Sequence, residues 1–443
     1  MFQKYGKKAL MVVAVLALVG GTVLPSLIAA ATGVTLNFDG STTVYPIVQE
    51  SQAQFPIVPA DNGTNMVVNQ DSSGVGRQEL LDNDQSVNGY PIDIADASSA
   101  CGSSDYVTTY GSLAYSCPGD STGTGRPQLV QTSVAKDAIT VIVNKNFIMS
   151  TCSGVPTITA GSITYPTMTL EQLQGIYEGQ ITDWHTLYSG CPSTVIVPRD
   201  RVTTSGTHQS FLKLGKIYCN PAVDSDTNDT GNCSTTAQSY WPSAVSENVV
   251  ISNTGLPRLN GNPDMEGAID NNTGAPTGSQ EIGFIGLAFT DANNVQFAID
   301  ASNGGAGGGT GGVVPPDQAT ALSGSYAMSR TLYMYSAPTS SNPKQVIQDY
   351  LNWIIGPEGQ ADVNDQGFVP LFTAAPAWDV NLNHSADLAD LISIGGHWGQ
   401  NGPATGNPEK PILGGWIRQD VNLDGTINVL DLVTVGNHWG QTW

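Results

Sequence analysis

The stretch VPRDRVTTSGTHQSFL (197–212) sets the frame for reading the chain. It leaves a short β-rich run, VIVP (195–198), and enters a helical pattern at SGTHQSFL (205–212), with Arg199 and Arg201 in between. Small hydroxyl residues and glycine just before a helix aim backbone N–H groups and hydroxyls at one point, at the positive end of the helix dipole. Two other segments, GSTTVYPIVQE (40–50) and DSSGVGRQEL (71–80), repeat the arrangement. Singly, each is ordinary N-capping. Three such loops beside a basic residue indicate convergence on a small tetrahedral anion.

Around these loops, short β-rich runs alternate with helical patterns. ITVIVN (139–144) reads as a buried strand bounded by turns. TLEQLQGIY (169–177) reads as a helix with Thr169 and Gln172 as a capping box. VIQDYLNWII (346–355) reads as another, stopped by Gly356-Pro357. Residues 32–375 are therefore expected to form an α/β domain, with the glycine-rich run 303–312 as an inserted loop.

Composition narrows the function. At 443 residues and 40% hydrophobic, with 8 Trp, 15 Tyr and 10 Phe, the chain can bury a full core. Acidic groups number 38 against 16 basic. A nucleic-acid binder needs a basic face, so that class is excluded. Residues 1–31 read as a secretory signal: Lys4, Lys7 and Lys8, an apolar run, then small residues near Ala30. Losing those three lysines takes the net charge from −22 to −25. Six cysteines in an exported chain suggest disulfides, and pairing of neighbours (101–117, 152–191, 219–233) would staple one polar loop each.

Beyond Trp378 the texture changes. DVNLNHSADLADLISIGGHWGQ (379–400) and DVNLDGTINVLDLVTVGNHWGQ (420–441) align without gaps at an offset of 41, with 11 of 22 positions identical. In the second copy Asp420, Asn422, Asp424, Asn428 and Asp431 occupy positions 1, 3, 5, 9 and 12 of a loop with Gly425 at position 6. Thr426 offers its backbone carbonyl. Such a set of hard oxygens on a tight loop suits Ca²⁺. The first copy supplies Asp379, Asn381, Asn383, Asp387 and Asp390, but His384 replaces the glycine and is expected to strain the turn. Each loop runs into a short apolar helix. The pair resembles a dockerin, a small α-helical calcium-binding domain, over residues 379–443; the resemblance implies a cohesin-bearing partner.

The main domain carries a second resemblance. GSTTVYPI, DSSGVGRQEL, DIADASS (93–99), VAKDAITVIVN (134–144), TLEQLQGIYEGQITDW (169–184), VPRDRVTTSGT, IGFIGLAF (282–289) and GPEGQADVNDQGFVPL (356–371) resemble, in order, segments of the phosphate-binding proteins of ABC transporters. The resemblance implies a two-lobed, periplasmic-binding-protein-like (type II) fold with a hinged cleft. Carried over by position, Thr42 and the backbone of Thr43 match one anion contact, and Ser72, beside Ser73 and Gly74, matches a second. Ser205, Gly206 and Thr207 match the third loop. The family's arginine maps onto Arg201 counted from the serine and onto Arg199 counted from the strand. Ser98 stands where some members have an aspartate that accepts the proton of hydrogen phosphate; Asp71, Asp93 and Asp96 are candidate substitutes.

The expected function is a secreted or cell-surface, non-enzymatic receptor for inorganic phosphate, tethered through the repeat, with an ABC permease as a possible recipient of the ligand. The competing reading is a surface-attached module that kept the fold without the ligand. A hydrolase is disfavoured by the lack of HExxH and GxSxG motifs; His208, after SGT, is the candidate base it would need.

Overall fold

The computed structural model describes residues 35–55, 65–83, 91–102, 113–120, 125–177, 179–202, 205–215, 217, 256–272, 276–301, 312–341, 344–372, 374–400, 418–422 and 426–443. The signal segment, Cys219, Cys233, nearly all of the glycine-rich run, and Asp424 with Gly425 lie outside them.

Strand β1 (Thr35–Gly40) leads into helix α1 (Tyr45–Gln54), strand β2 (Asn65–Val68) into helix α2 (Ser73–Asp82), and strand β3 (Ile94–Ala97) completes a parallel set in the order β2-β1-β3. The long strand β4 (Val130–Asn144) follows, then β5 (Thr157–Ala160), β6 (Ile163–Thr169), α3 (Leu170–Tyr177), α4 (Trp184–Leu187), β7 (Val195–Pro198) and α5 (Gly206–Leu214). Next come α6 (Asn262–Asn271), β8 (Ser279–Gly286), β9 (Asn294–Gln296), β10 (Ala298–Asp300), β11 (Val313–Val314), α7 (Gln318–Ser323) and β12 (Ser329–Ser336). Helices α8 (Gln345–Ile354) and α9 (Pro357–Asp365) and strand β13 (Val369–Pro370) close the main domain; α10 (Leu388–Gly396) and α11 (Val429–Asn437) form the tail.

Strand β4 joins the two lobes. Its first nine residues pair antiparallel with β12, which returns beside β3; residues 139–143 pair with β8, and β7 lies parallel to β8. Side chains alternate along a strand, and β4 uses this to feed two cores. Ile139, Val141 and Val143 join a cluster with Trp184, Phe211 and Phe284, while Val134 and Ile142 join one with Phe38, Phe55 and Tyr350. A second sheet, β11-β10-β6-β5, flanks the first cluster. The result is a mixed α/β fold of two lobes.

The local expectations hold where their causes are local. The Thr169 hydroxyl accepts from Gln172 N at 3.0 Å and the Gln172 carboxamide accepts from Thr169 N at 2.9 Å, the capping box that starts α3. Helix α8 ends at Ile354, and Pro357 starts α9 at a first-turn position that needs no N–H. Disulfides Cys101–Cys117 and Cys152–Cys191 form as nearest neighbours. No helix among the described residues is long and apolar enough to cross a membrane.

The tail repeats its contacts as it repeats its sequence. Val380, Ala386 and Ile394 pack against Val421, Ile427 and Val435, each pair offset by the repeat length, in a small core. Ala386 exchanges backbone hydrogen bonds with Gly440 and Gln441, and Ile427 does the same with Gly399 and Gln400.

Candidate functional site

Each of the three loops ends at a helix start. Gly40, at φ 151°, lies so close to the Asp96 backbone that a side chain there would collide with it. The turn it permits carries Ser41 to Thr43 to the head of α1. Ser72 caps α2 by accepting from Val75 N at 3.3 Å, and Ser205 caps α5 by accepting from His208 N at 3.4 Å. These are the ordinary roles expected of such serines. The neighbouring residues do something else.

Thr43 Oγ1 and Thr207 Oγ1 lie 3.0 Å apart, and Ser73 Oγ lies 3.2 Å from Ser98 Oγ. Gly206 packs between the lobes, where an added Cβ would stand 2.5 Å from Ser73 Oγ and 2.6 Å from Ser98 Oγ. The three helix starts therefore converge, with the lobes in contact across them. Gly74 sits in the first turn of α2, half-buried.

Arg201 enters the same cluster. It is 1% exposed, and its guanidinium donates to Asn262 Oδ1 at 2.7 Å, Thr42 Oγ1 at 3.1 Å and the Asn260 carbonyl at 2.8 Å. All three partners are neutral, and its Nε has none. Burial, followed by the like charge of Arg330, pulls its pKa down to about 9. Arg199 is not brought here: its guanidinium pairs with Glu281 at 3.1 Å. The two readings of the arginine thus separate on geometry, with Arg201 at the loops and Arg199 in a buried ion pair.

Two members of the cluster were not singled out in the sequence. Asn262, the first residue of α6, takes the hydrogen bond from Arg201 and donates to Thr43 Oγ1 at 3.2 Å. Arg330, on β12, donates to Thr207 Oγ1 at 3.0 Å and pairs with Asp137 at 2.6 Å. A lone arginine inside the strand pattern SRTLYMYS (329–336) was the available signal.

Of the carboxylates weighed against Ser98, Asp93 pairs with Lys344 at 2.9 Å, and Asp71 is exposed beside Asp39 and Glu79. Asp96 is the one whose carboxylate touches the first loop, accepting from Ser41 N at 2.5 Å, and burial raises its pKa well above the usual carboxylate range. His208 hydrogen-bonds Asp200 at 2.8 Å, with Arg258 on the other oxygen at 3.2 Å.

The model of a PBP superfamily domain matches residues 28–358. The chain belongs to the PBP superfamily. Its members are substrate-binding proteins and not enzymes. No curated protein matches the chain. Among solved structures, it is similar to a substrate-binding protein of Clostridium perfringens with bound phosphate, at 18% identity and a TM-score of 0.49, covering 76% of this chain and 99% of that one. It is also similar to an ABC-type phosphate transport receptor from Vibrio cholerae, at 18% identity and a TM-score of 0.45, covering 75% and 99%. A phosphate-binding protein from Stenotrophomonas maltophilia stands at 18% and 0.47, covering 78% and 92%.

In the tail, the position-12 carboxylates are held alike. Asp390 accepts from Asn381 N at 3.1 Å and Asp387 N at 2.8 Å; Asp431 accepts from Asn422 N at 3.1 Å and Asn428 N at 2.8 Å. Asp379 and Asp420, at position 1, are equally buried. His384 adopts φ 67°, the left-handed region that glycine favours. Its ring stacks on Trp443 and pairs with Glu358 at 2.9 Å. Leu388, Ile392 and Trp398, with Val429, Val433 and Trp439 one repeat later, are about half exposed.

Proposed function

We propose that the chain is a secreted solute-binding protein that captures inorganic phosphate between its lobes and is held on a cohesin-bearing partner by its tail. The observation that carries the reading is Arg201: a buried cation with only neutral hydrogen-bond partners, beside a second arginine, where three helix N-termini meet. Asp264 and Asp200 act on Arg201 only from a distance, less strongly than its burial and Arg330; a buried charge hydrogen-bonded only to neutral groups is costly, and a compact dianion would relieve it. Thr42, Thr43, Ser72, Ser73, Gly74, Ser98, Ser205, Gly206 and Thr207 supply the hydroxyls and amides that would surround such an anion, as in the phosphate-binding proteins whose segments they resemble. Hydrogen phosphate also brings a proton that needs an acceptor. Asp96, whose carboxylate meets Ser41 N in the first loop, is the candidate acceptor; sulfate brings no proton and would leave a charged carboxylate there repelling it.

The tail is read as a dockerin. Asp379, Asn381, Asn383, Asp387 and Asp390 would hold one calcium ion, and Asp420, Asn422, Asp424, Thr426, Asn428 and Asp431 a second. The matching cradles of Asp390 and Asp431 support this fit. The ions would order two loops, and the twin half-exposed apolar faces on α10 and α11 are the surface offered to a cohesin.

Equilibrium dialysis of the phosphate-stripped chain against radiolabelled phosphate tests the first half. Wild type should bind one equivalent, and Arg201→Met should lose at least about 100-fold in affinity, the scale of losing two charge-assisted hydrogen bonds. Equal binding by both would remove Arg201 from the site. For the second half, capture on an immobilised cohesin should require calcium and disappear in EDTA.

A further inference from the structure

Among the positions at which the two tail copies differ, two meet in space. His384 stands at φ 67° where the second copy has Gly425. A side chain in that left-handed region carries a steric cost that glycine escapes. At the offset of 41, the residue that corresponds to Trp443 is Gly402. The sequence thus sets a tryptophan against the loop that lacks the glycine.

Trp443 follows a short antiparallel bridge between Ser385 and Thr442, and its backbone N–H donates to the His384 carbonyl at 3.4 Å. Its ring lies on the His384 imidazole, with centroids 4.5 Å apart and planes 16° from parallel. Its indole N–H goes past the histidine to Asp379, donating to Oδ2 at 2.7 Å. Asp379 is the fully buried carboxylate at position 1 of the loop. The same Oδ2 accepts from His384 N at 2.8 Å. Oδ1 accepts from Asn383 N at 3.1 Å, a donor that it shares with Asn381 Oδ1 at 3.0 Å. A carboxylate oxygen offers about two lone-pair sites. Among the described residues, Oδ2 is therefore filled, and Oδ1 keeps a site open.

We propose that Trp443 is a positioning residue for the first calcium loop: its N–H fills the outer oxygen of Asp379 and fixes the carboxylate with Oδ1 left for the ion. The inference rests on the calcium reading of the tail and deepens it. An indole suits the task because its nitrogen donates and cannot accept, so it holds the carboxylate without competing as a ligand. Its face meanwhile braces His384 in the turn that glycine would have made freely. Losing a donor behind a metal ligand typically costs about 10–100-fold in metal affinity.

The test is a calcium titration of the full chain, stripped of metal and set against a chromophoric chelator. Wild type is compared with Trp443→Phe, which keeps a ring over His384 and removes the N–H. Wild type should take up two ions. In Trp443→Phe one step should weaken by about tenfold or more, and the other should stay, showing that the tail still folds. In a chain whose second loop is disabled by Asp420→Ala, adding Trp443→Phe should weaken the one remaining site by the same factor. Unchanged or tighter binding in both comparisons would overturn the proposal. A wild type that takes up no calcium would overturn the tail reading itself, and this inference with it.

Discussion

At the proposed anion site, Arg201 and Gly206 have different tasks. Arg201 would be the ligand's counter-charge; Gly206 decides whether the lobes can meet at all. Its backbone conformation is open to other residues, but a Cβ there would meet Ser73 Oγ at 2.5 Å and Ser98 Oγ at 2.6 Å. Gly206→Ala should therefore leave the melting temperature of each lobe's core intact and weaken phosphate binding by about tenfold or more, near 1.4 kcal/mol. Titration calorimetry on the variant checks this, and unaltered affinity would mean that the lobes bind without this contact. His384 shows what a single residue type reveals in sequence. Standing at the glycine position of its loop, it announced a left-handed turn, and its φ of 67° shows one. Its compensating contacts to Glu358 and Trp443 were not announced, because they join segments far apart in the chain.

At the scale of elements, the helix starts were legible because their causes lie within a few residues. The Thr169–Gln172 capping box is the clearest case, and Thr169→Ala should cost about 1 kcal/mol of stability, read from a denaturant midpoint. What lay beyond reading was pairing between strands. Arg330 reaches Thr207 because β12 lies against β4 in a register that sets Arg330 directly opposite Asp137. Alternation of apolar residues marks a strand but does not say which strand it will meet, nor in what register. Asn262 escaped for the same reason: a helix-initial asparagine reads as a cap, and only the return of α6 to the first loop makes it a partner of Thr43 and Arg201. In the tail, the offset of 41 was legible because the same residue types recur at one spacing, His384 against Gly425 apart, and it returns as paired contacts in one small core. Removing calcium should accordingly reduce the helical signal of α10 and α11 while the main domain keeps its cooperative transition, measured by circular dichroism with and without EDTA.

At the scale of the molecule, the tail is fastened to the main domain by a buried charge cluster. Arg418 donates to Asp365 at 3.0 Å and to the Asp379 and Pro376 carbonyls, with Glu50 and Asp362 nearby. Burial, then the charge of Asp365, pushes Glu50 up to about 7, and burial raises Asp362 and Asp365 as well. A carboxyl group raised by folding favours the folded state while protonated, so this contribution is present below about pH 4 and lost as pH rises towards about 7. At fixed calcium the melting temperature should fall over that range, and Glu50→Gln should flatten the fall. Arg418→Met, which strips the cation from the cluster, should destabilise the chain by about 3 kcal/mol at neutral pH.

The central claim is that these three helix starts and Arg201 enclose phosphate. The measurement that tests it most directly is calorimetric titration of the full chain, refolded to free it of retained ligand, with phosphate and then with sulfate. One-to-one phosphate binding with sulfate much weaker is the result predicted. No heat from either anion would contradict it and leave the chain a surface-attached module that kept the fold without the ligand.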